Sequence, residues 1–381
     1  MDPLLIPDDV DVAVIGLGVL GASALRALAA DGVNVIGIEQ FRTGHTSGSS
    51  HGRSRALRFL YHAPEYLALL RPAVEGWGAL EAESGRRIFW NCGTLFFARP
   101  GNARMERNLA VMAAAGMDYE TLDEQDARRR FPAFAMTPGS QGVFSRDGGM
   151  IDADVAATAF LDGARSAGAR IREDTRVLAL DAGGGRVRLR TSSGDITARH
   201  VVVAAGAWTG ALLPGLRLPI RVTRQHWFTM RPADPQAVAP SRVPVWADYD
   251  TMYYGFPDHG PGLKIADDTP GPDEEPGAMG RGPEEHEQRV LTAYLRDRFP
   301  SSNLAFDSSG RCLYTLTPDE DFLLGHVPGT GGRVSLVVGL SHAFKFAPVI
   351  GRILADLATT GTTHHPIDRF RIDRFAPAPA G

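Results

Sequence analysis

Lysine is almost missing from this chain. Of 40 basic residues only Lys264 and Lys345 are lysines, and the rest are arginine. A background that prefers arginine accounts for the scarcity but not for the two that remain. Lysine offers a compact ammonium on a flexible stem with a tunable pKa, which arginine cannot copy. At least one of the two is therefore expected at a site. Cysteine is equally scarce: two in 381 residues rule out a disulfide framework, and a reducing, cytoplasmic compartment is the simplest reading. No apolar run approaches the roughly 20 residues that span a bilayer. The first ten residues lack both the charged region and the long apolar stretch of a secretory signal. No basic patch accompanies the net charge of -4, so nucleic acid is not an expected partner.

What is there reads as an ordinary globular enzyme, 44% hydrophobic and 22% charged. Residues 11–15 read as a buried strand, 20–30 as an Ala- and Leu-rich helix and 33–39 as a second strand. Helices are expected at 64–83, 103–115, 123–130, 153–167, 284–298 and 346–359. A strand is expected at 88–98, a hairpin at 175–181 and 185–191, and continuous apolar strands at 200–208 and from 335. Between 217 and 266 several alternating segments read as antiparallel strands, and 267–283 as a Pro/Gly/acid-rich loop.

Gly16-Leu17-Gly18-Val19-Leu20-Gly21 lies between the first strand and the first helix. Gly16 suits a tight turn, Gly18 a close backbone approach to pyrophosphate, and Gly21 close helix–strand packing. Amides at the helix N-terminus favour phosphate. Glu39 ends the second strand, 18 residues after Gly21, where an acid can hold ribose hydroxyls. This context predicts dinucleotide binding. The glycine pattern alone does not separate NAD from FAD.

Further segments narrow the choice. After Glu39 come Thr43 to Arg58, containing HGRSRALR; then Tyr253-Tyr254-Gly255-Phe256-Pro257 and Gly262-Leu263-Lys264; then Arg311-Cys312-Leu313-Tyr314-Thr315, Pro318 to Phe322, and Phe344-Lys345-Phe346. Together these resemble the monomeric sarcosine oxidase family, which includes N-methyltryptophan and pipecolate oxidases, from Val12 to about Phe375. The resemblance implies an α/β (α+β) fold: a Rossmann-like FAD-binding domain with an antiparallel β-rich substrate-binding domain. We assign 1–88, 145–216 and 308–381 to the first and 89–144 and 217–307 to the second. It also implies oxidation of a secondary amine carrying a carboxylate, with molecular oxygen as acceptor, hydrogen peroxide as product and a monomeric chain.

Residue by residue, the resemblance implies a thioether from Cys312 to FAD, oxygen activation at Lys264, and substrate carboxylate binding by Arg58 and Lys345. Tyr254 and Tyr314 would line the substrate side. Ser49, His51, Arg55 and His342 would join Gly16, Gly18, Gly21, Glu39 and Lys345 around the cofactor. Cys92 reads as core. Trp227 and Trp246 read as packing residues, with one able to face the pocket. Three departures stand out: Ser341-His342-Ala343-Phe344-Lys345 is one residue shorter than the family segment, Asp268 replaces a histidine, and Arg53 replaces a common aspartate. An acid at 268 would favour a substrate with an additional cationic or polar group. Two alternatives stay open: a same-fold oxidase of a primary amino acid or a biosynthetic amine, and an inactive nucleotide-binding partner protein.

Overall fold

The structure is a computed structural model that describes residues 8–278, 282–339 and 341–375. Strand β1 (Asp8–Ile15), helix α1 (Val19–Ala30) and strand β2 (Val35–Ile38) form the expected unit, with β1 and β2 parallel. Strand Ile196–Val203 pairs parallel to β1 on its other side, and Val334–Val338 pairs parallel to that strand. Strand Arg170–Arg172 extends the parallel core beyond β2, and the hairpin Val177–Asp181 with Val187–Thr191 adds antiparallel strands. Val12 and Val14 enter the helical core, whereas Ala13 and Ile15 enter a second core on the opposite face. Both faces of the second half of β1 are thus buried, which is why residues 12–15 are apolar throughout rather than alternating. The helix Ala347–Thr359 packs along α1, and Ser23 touches Gly351 so closely that a Cβ there would lie 2.2 Å from the serine hydroxyl.

The second sheet has eight strands in the order Ala305–Leu316, Arg221–Arg231, Leu263–Asp267, Tyr253–Phe256, Val245–Asp248, Thr94–Ala98, Gln141–Ser145 and Glu120–Leu122. Only Val245–Asp248 and Thr94–Ala98 run parallel; the other neighbours are antiparallel. Alternation sorts its faces. Leu263 and Ile265 join one core, while Lys264 and Ala266 face the cavity described below. Among the described residues no helix is long and apolar enough to cross a membrane.

Most expected helices agree within two residues. The expected strand 88–98 is broken at Asn91–Gly93, where Gly93 has φ of +75°. The expected strand 200–208 stops at Val203, and Gly206–Trp208 form a 3-10 turn. Strand Ala305–Leu316 was not foreseen. Its first half, AFDSSG, has neither apolar alternation nor high strand propensity, and its pairing with Arg221–Arg231 is imposed by the sheet. The assigned boundary at 308 cuts through this strand. By hydrogen bonding, 308–316 belongs with the second sheet, as does Ser145.

Candidate active site

The glycine turn is shaped by close backbone contacts. Gly16 has φ of +86°, and a Cβ there would lie 2.6 Å from the Ala204 carbonyl oxygen. A Cβ on Gly21 would lie 1.9 Å from the Gly16 oxygen, so no side chain fits between helix and turn. Gly21 therefore acts in packing and is the one expected site residue that does not line the cavity. Glu39 is buried and accepts hydrogen bonds from the amides of Leu17 at 2.8 Å and Phe41 at 3.1 Å. Ser50 accepts from the Val19 amide at 2.9 Å and so caps α1, a role that sequence reading did not assign. The adjacent Ser49 instead donates to the Leu313 carbonyl, clipping this loop to strand Ala305–Leu316.

From this turn one cavity of about 670 Å³ runs to the second sheet. Gly16, Gly18, Glu39, Ser49, His51, Arg55, Arg58, Tyr254, Lys264, Cys312, Tyr314, His342 and Lys345 all line it. Arg55 is a strap. Its guanidinium donates to the carbonyls of Ser49, His51 and Ser54 at 2.7 to 2.8 Å and lies over the Phe344 ring. His51 is held neutral: burial, then the charges of Arg55 and Lys264, bring its pKa down to about 4. Its Nε2 is buried with no partner among the described residues, which suits a ligand polar group at this part of the cavity. A strand–turn–helix cradle that admits no side chain, an acid at the end of β2 and this orphan nitrogen together fit FAD.

At the far end Tyr61 organises two cations. The Arg58 guanidinium stacks 4.1 Å over its ring and also donates to the Leu60 carbonyl. Lys345 donates from Nζ to the Tyr61 hydroxyl at 3.0 Å and to the His342 carbonyl at 2.8 Å. Burial, then the Arg58 charge, hold the Lys345 pKa well below the usual lysine value. Burial followed by Lys345 and Arg58 keeps His342 neutral. Two buried basic groups gathered at one tyrosine can both carry charge only beside an anion.

Lys264 is also buried. It donates weakly to the Ser54 carbonyl at 3.4 Å and lies near the rings of Phe256 and Trp227. Burial, then Arg55, bring its pKa down to about 7. Cys312 and Tyr314 sit two positions apart on one strand and so share a face. Burial raises the Cys312 thiol pKa, opposed by Arg55 and Lys264. Tyr314 contacts the Tyr254 hydroxyl at 3.1 Å and donates to Asp268 at 3.3 Å. Asp268 is half-buried and lines the cavity, and burial raises its pKa against the pull of Arg104 and Arg58.

Trp227 lines the cavity, whereas Trp246 is core. Cys92 lies half-buried at the turn between two short strands, packed on an apolar cluster, and burial raises its pKa to about 11. Tyr61, Arg104 and Tyr249 escaped sequence reading. Arg104 opens the helix Ala103–Ala114 and packs over Tyr249, and no local pattern marks it out among 40 basic residues.

Comparison with known proteins agrees with this site. The family described as FAD dependent oxidoreductase matches residues 11–357. The monomeric sarcosine oxidase of Streptomyces avermitilis is 33% identical, over 97% of this chain and 99% of its own. The N-methyl-L-tryptophan oxidase of Yersinia pestis is 30% identical, over 96% of this chain and 100% of its own. Among solved structures NikD, an unusual amino acid oxidase essential for nikkomycin biosynthesis, superposes with a TM-score of 0.85 at 26% identity, covering 96% of this chain and 98% of that one. With the glycine cradle, Glu39 and the cavity in place, the chain belongs to the FAD-dependent oxidoreductase family, in the group that holds the sarcosine and N-methyltryptophan oxidases.

Proposed function

We propose that the protein oxidises the C–N bond of a secondary amino acid, N-methylated or cyclic, to an imine that water then hydrolyses. The observation that carries this reading is the pair of buried basic side chains, Arg58 and Lys345, held at the ring and hydroxyl of one tyrosine beside the cavity. A substrate carboxylate placed there restores the charge that burial and mutual repulsion deny to Lys345. Arginine can grip it with two parallel hydrogen bonds. Fixing the carboxylate fixes the neighbouring carbon, and such orientation supplies a large part of the rate. The glycine turn, Glu39, Ser49, His51, Arg55 and His342 would hold FAD, with Cys312 as its covalent anchor. FAD, when bound, supplies the two-electron acceptor for the C–N bond.

Lys264 stands apart from the carboxylate pair and has no acidic partner among the described residues, so its charge is free to stabilise negative charge developing on oxygen. The electron acceptor in this reading is molecular oxygen, the product hydrogen peroxide, and the chain a cytoplasmic monomer. The reading is supported by the sarcosine and N-methyltryptophan oxidases among its relatives. The test is anaerobic flavin absorbance during addition of sarcosine, N-methyl-L-tryptophan, pipecolate, L-proline and primary amino acids. Bleaching by a secondary amine, reversed by air, is expected. Bleaching by primary amino acids alone would move the reading to that substrate class.

A further inference from the structure

We propose that Tyr254, Tyr314 and Asp268 form a directional proton path that takes the ammonium proton from the bound substrate, with Asp268 as its terminus. The inference rests on the amine oxidase reading and adds the step that prepares the amine. An amino acid binds Arg58 and Lys345 through its carboxylate while its nitrogen is protonated in water. Electrons cannot leave the C–N unit while that nitrogen carries a fourth bond. The proton therefore needs an acceptor at the substrate end of the cavity.

Among the described residues four carboxylates line the cavity: Glu39, Asp154, Asp248 and Asp268. Glu39 is held by two backbone amides at the nucleotide end. Asp154 accepts from the Gly52 amide. Asp248 is fully buried and already accepts from Thr137, Tyr294 and the Asp250 amide. Asp268 differs: its carboxylate accepts from the Tyr314 hydroxyl, which in turn meets the Tyr254 hydroxyl at the cavity wall. That bond sets the direction of the rest. A tyrosine hydroxyl has one proton. Tyr314 gives its proton to Asp268, so in the 3.1 Å contact Tyr254 must be the donor. The Tyr254 oxygen is then left as an acceptor, and Tyr254 lines the cavity.

The transfer balances without a further reagent. The ammonium proton passes to the Tyr254 oxygen, the Tyr254 proton to Tyr314, and the Tyr314 proton to Asp268. The amine becomes neutral, Asp268 becomes a carboxylic acid, and both tyrosines end as neutral phenols with their hydrogen bonds reversed. The surroundings suit the terminus. Burial lifts the Asp268 proton affinity above that of a solvated carboxyl, while Arg104, Arg58 and Lys345 keep the anion accessible. Tyr61, Tyr254, Tyr314 and Cys312 complete the titratable groups around it. Arrival of the substrate carboxylate at Arg58 and Lys345 weakens their hold on the Asp268 anion, so binding itself favours proton uptake there.

The test compares wild type, Asp268→Asn and Tyr314→Phe by anaerobic flavin bleaching across pH, with whichever of sarcosine, N-methyl-L-tryptophan, pipecolate or L-proline bleaches the wild type. Loss of a positioned proton acceptor costs on the order of a hundredfold or more near neutral pH. The loss should shrink as pH rises towards the pKa of the amine itself, where solvent supplies neutral substrate. Tyr314→Phe cuts the path while keeping the carboxylate, and is expected to show the same pH signature. It also carries the test if the asparagine variant does not fold. A loss of equal factor at every pH, or an unchanged pH profile in Tyr314→Phe, would overturn the path. A wild type that none of these amines bleaches would overturn the amine oxidase reading itself.

Discussion

Replacing Lys264 by methionine keeps an unbranched apolar stem and removes only the charge. Its ammonium is not consumed by an ion pair: among the described residues it has one long hydrogen bond, to the Ser54 carbonyl, and two aromatic neighbours. A preorganised charge facing charge that develops during reaction contributes about 3 kcal/mol, a hundredfold to thousandfold in rate. The assay is reoxidation of anaerobically reduced protein on mixing with aerated buffer, in rapid kinetics at several pH values. The sign follows from the lowered pKa. A lysine brought down to about 7 is charged below that pH and neutral above it. One unit below the midpoint about nine tenths of the side chains carry charge, and one unit above about one tenth do. Wild-type reoxidation should therefore slow as pH rises through this window, while the methionine variant stays slow throughout. An anion bound beside Lys264 moves the midpoint upward without changing the direction. A variant that reoxidises as fast as wild type, or a wild-type advantage that does not change with pH, refutes the role.

Two further outcomes are expected. Acid precipitation should leave the flavin colour with wild-type protein and release it from Cys312→Ser; release from both would place the cofactor's attachment elsewhere or make it noncovalent. Tyr61→Phe keeps the ring under Arg58 but removes the hydroxyl that receives the Lys345 hydrogen bond. A bond to a charged group contributes about 1.5–3 kcal/mol, so kcat/KM for a carboxylate-bearing amine should fall roughly 10- to 150-fold. An amine of similar size without a carboxylate serves as the control in steady-state assays, and an equal loss for both would mean that Tyr61 acts through general packing.

The fold was legible where local pattern and tertiary need agree. The β1–α1–β2 unit could be read because its apolar strands, glycine turn and terminal acid all point to one structure. The long strand Ala305–Leu316 could not, because Asp307, Ser308, Ser309 and Gly310 become strand only through partners some 80 residues earlier. The site divides in the same way. Lys264 and Lys345 were conspicuous by rarity, and the glycines by spacing. Tyr61 and Arg104 carry no such mark, since their importance comes from what lies across the cavity. Asp268 was visible as a departure from the family, but its hydrogen bond to Tyr314 depends on a pairing of distant strands.

The edge strand Ala305–Leu316 has a consequence for how this enzyme can diversify. Cys312 and Tyr314 occupy alternate positions on it, and Ser49 fastens the intervening Leu313 carbonyl to the nucleotide-binding loop. A slip of one residue in its register would turn both side chains out of the cavity together. The cofactor anchor proposed at Cys312 and the substrate contact proposed at Tyr314 would therefore be inherited as a unit. Substitutions that retune the substrate should be tolerated at Arg104, which stands on a separate helix and does not bear on that strand's register.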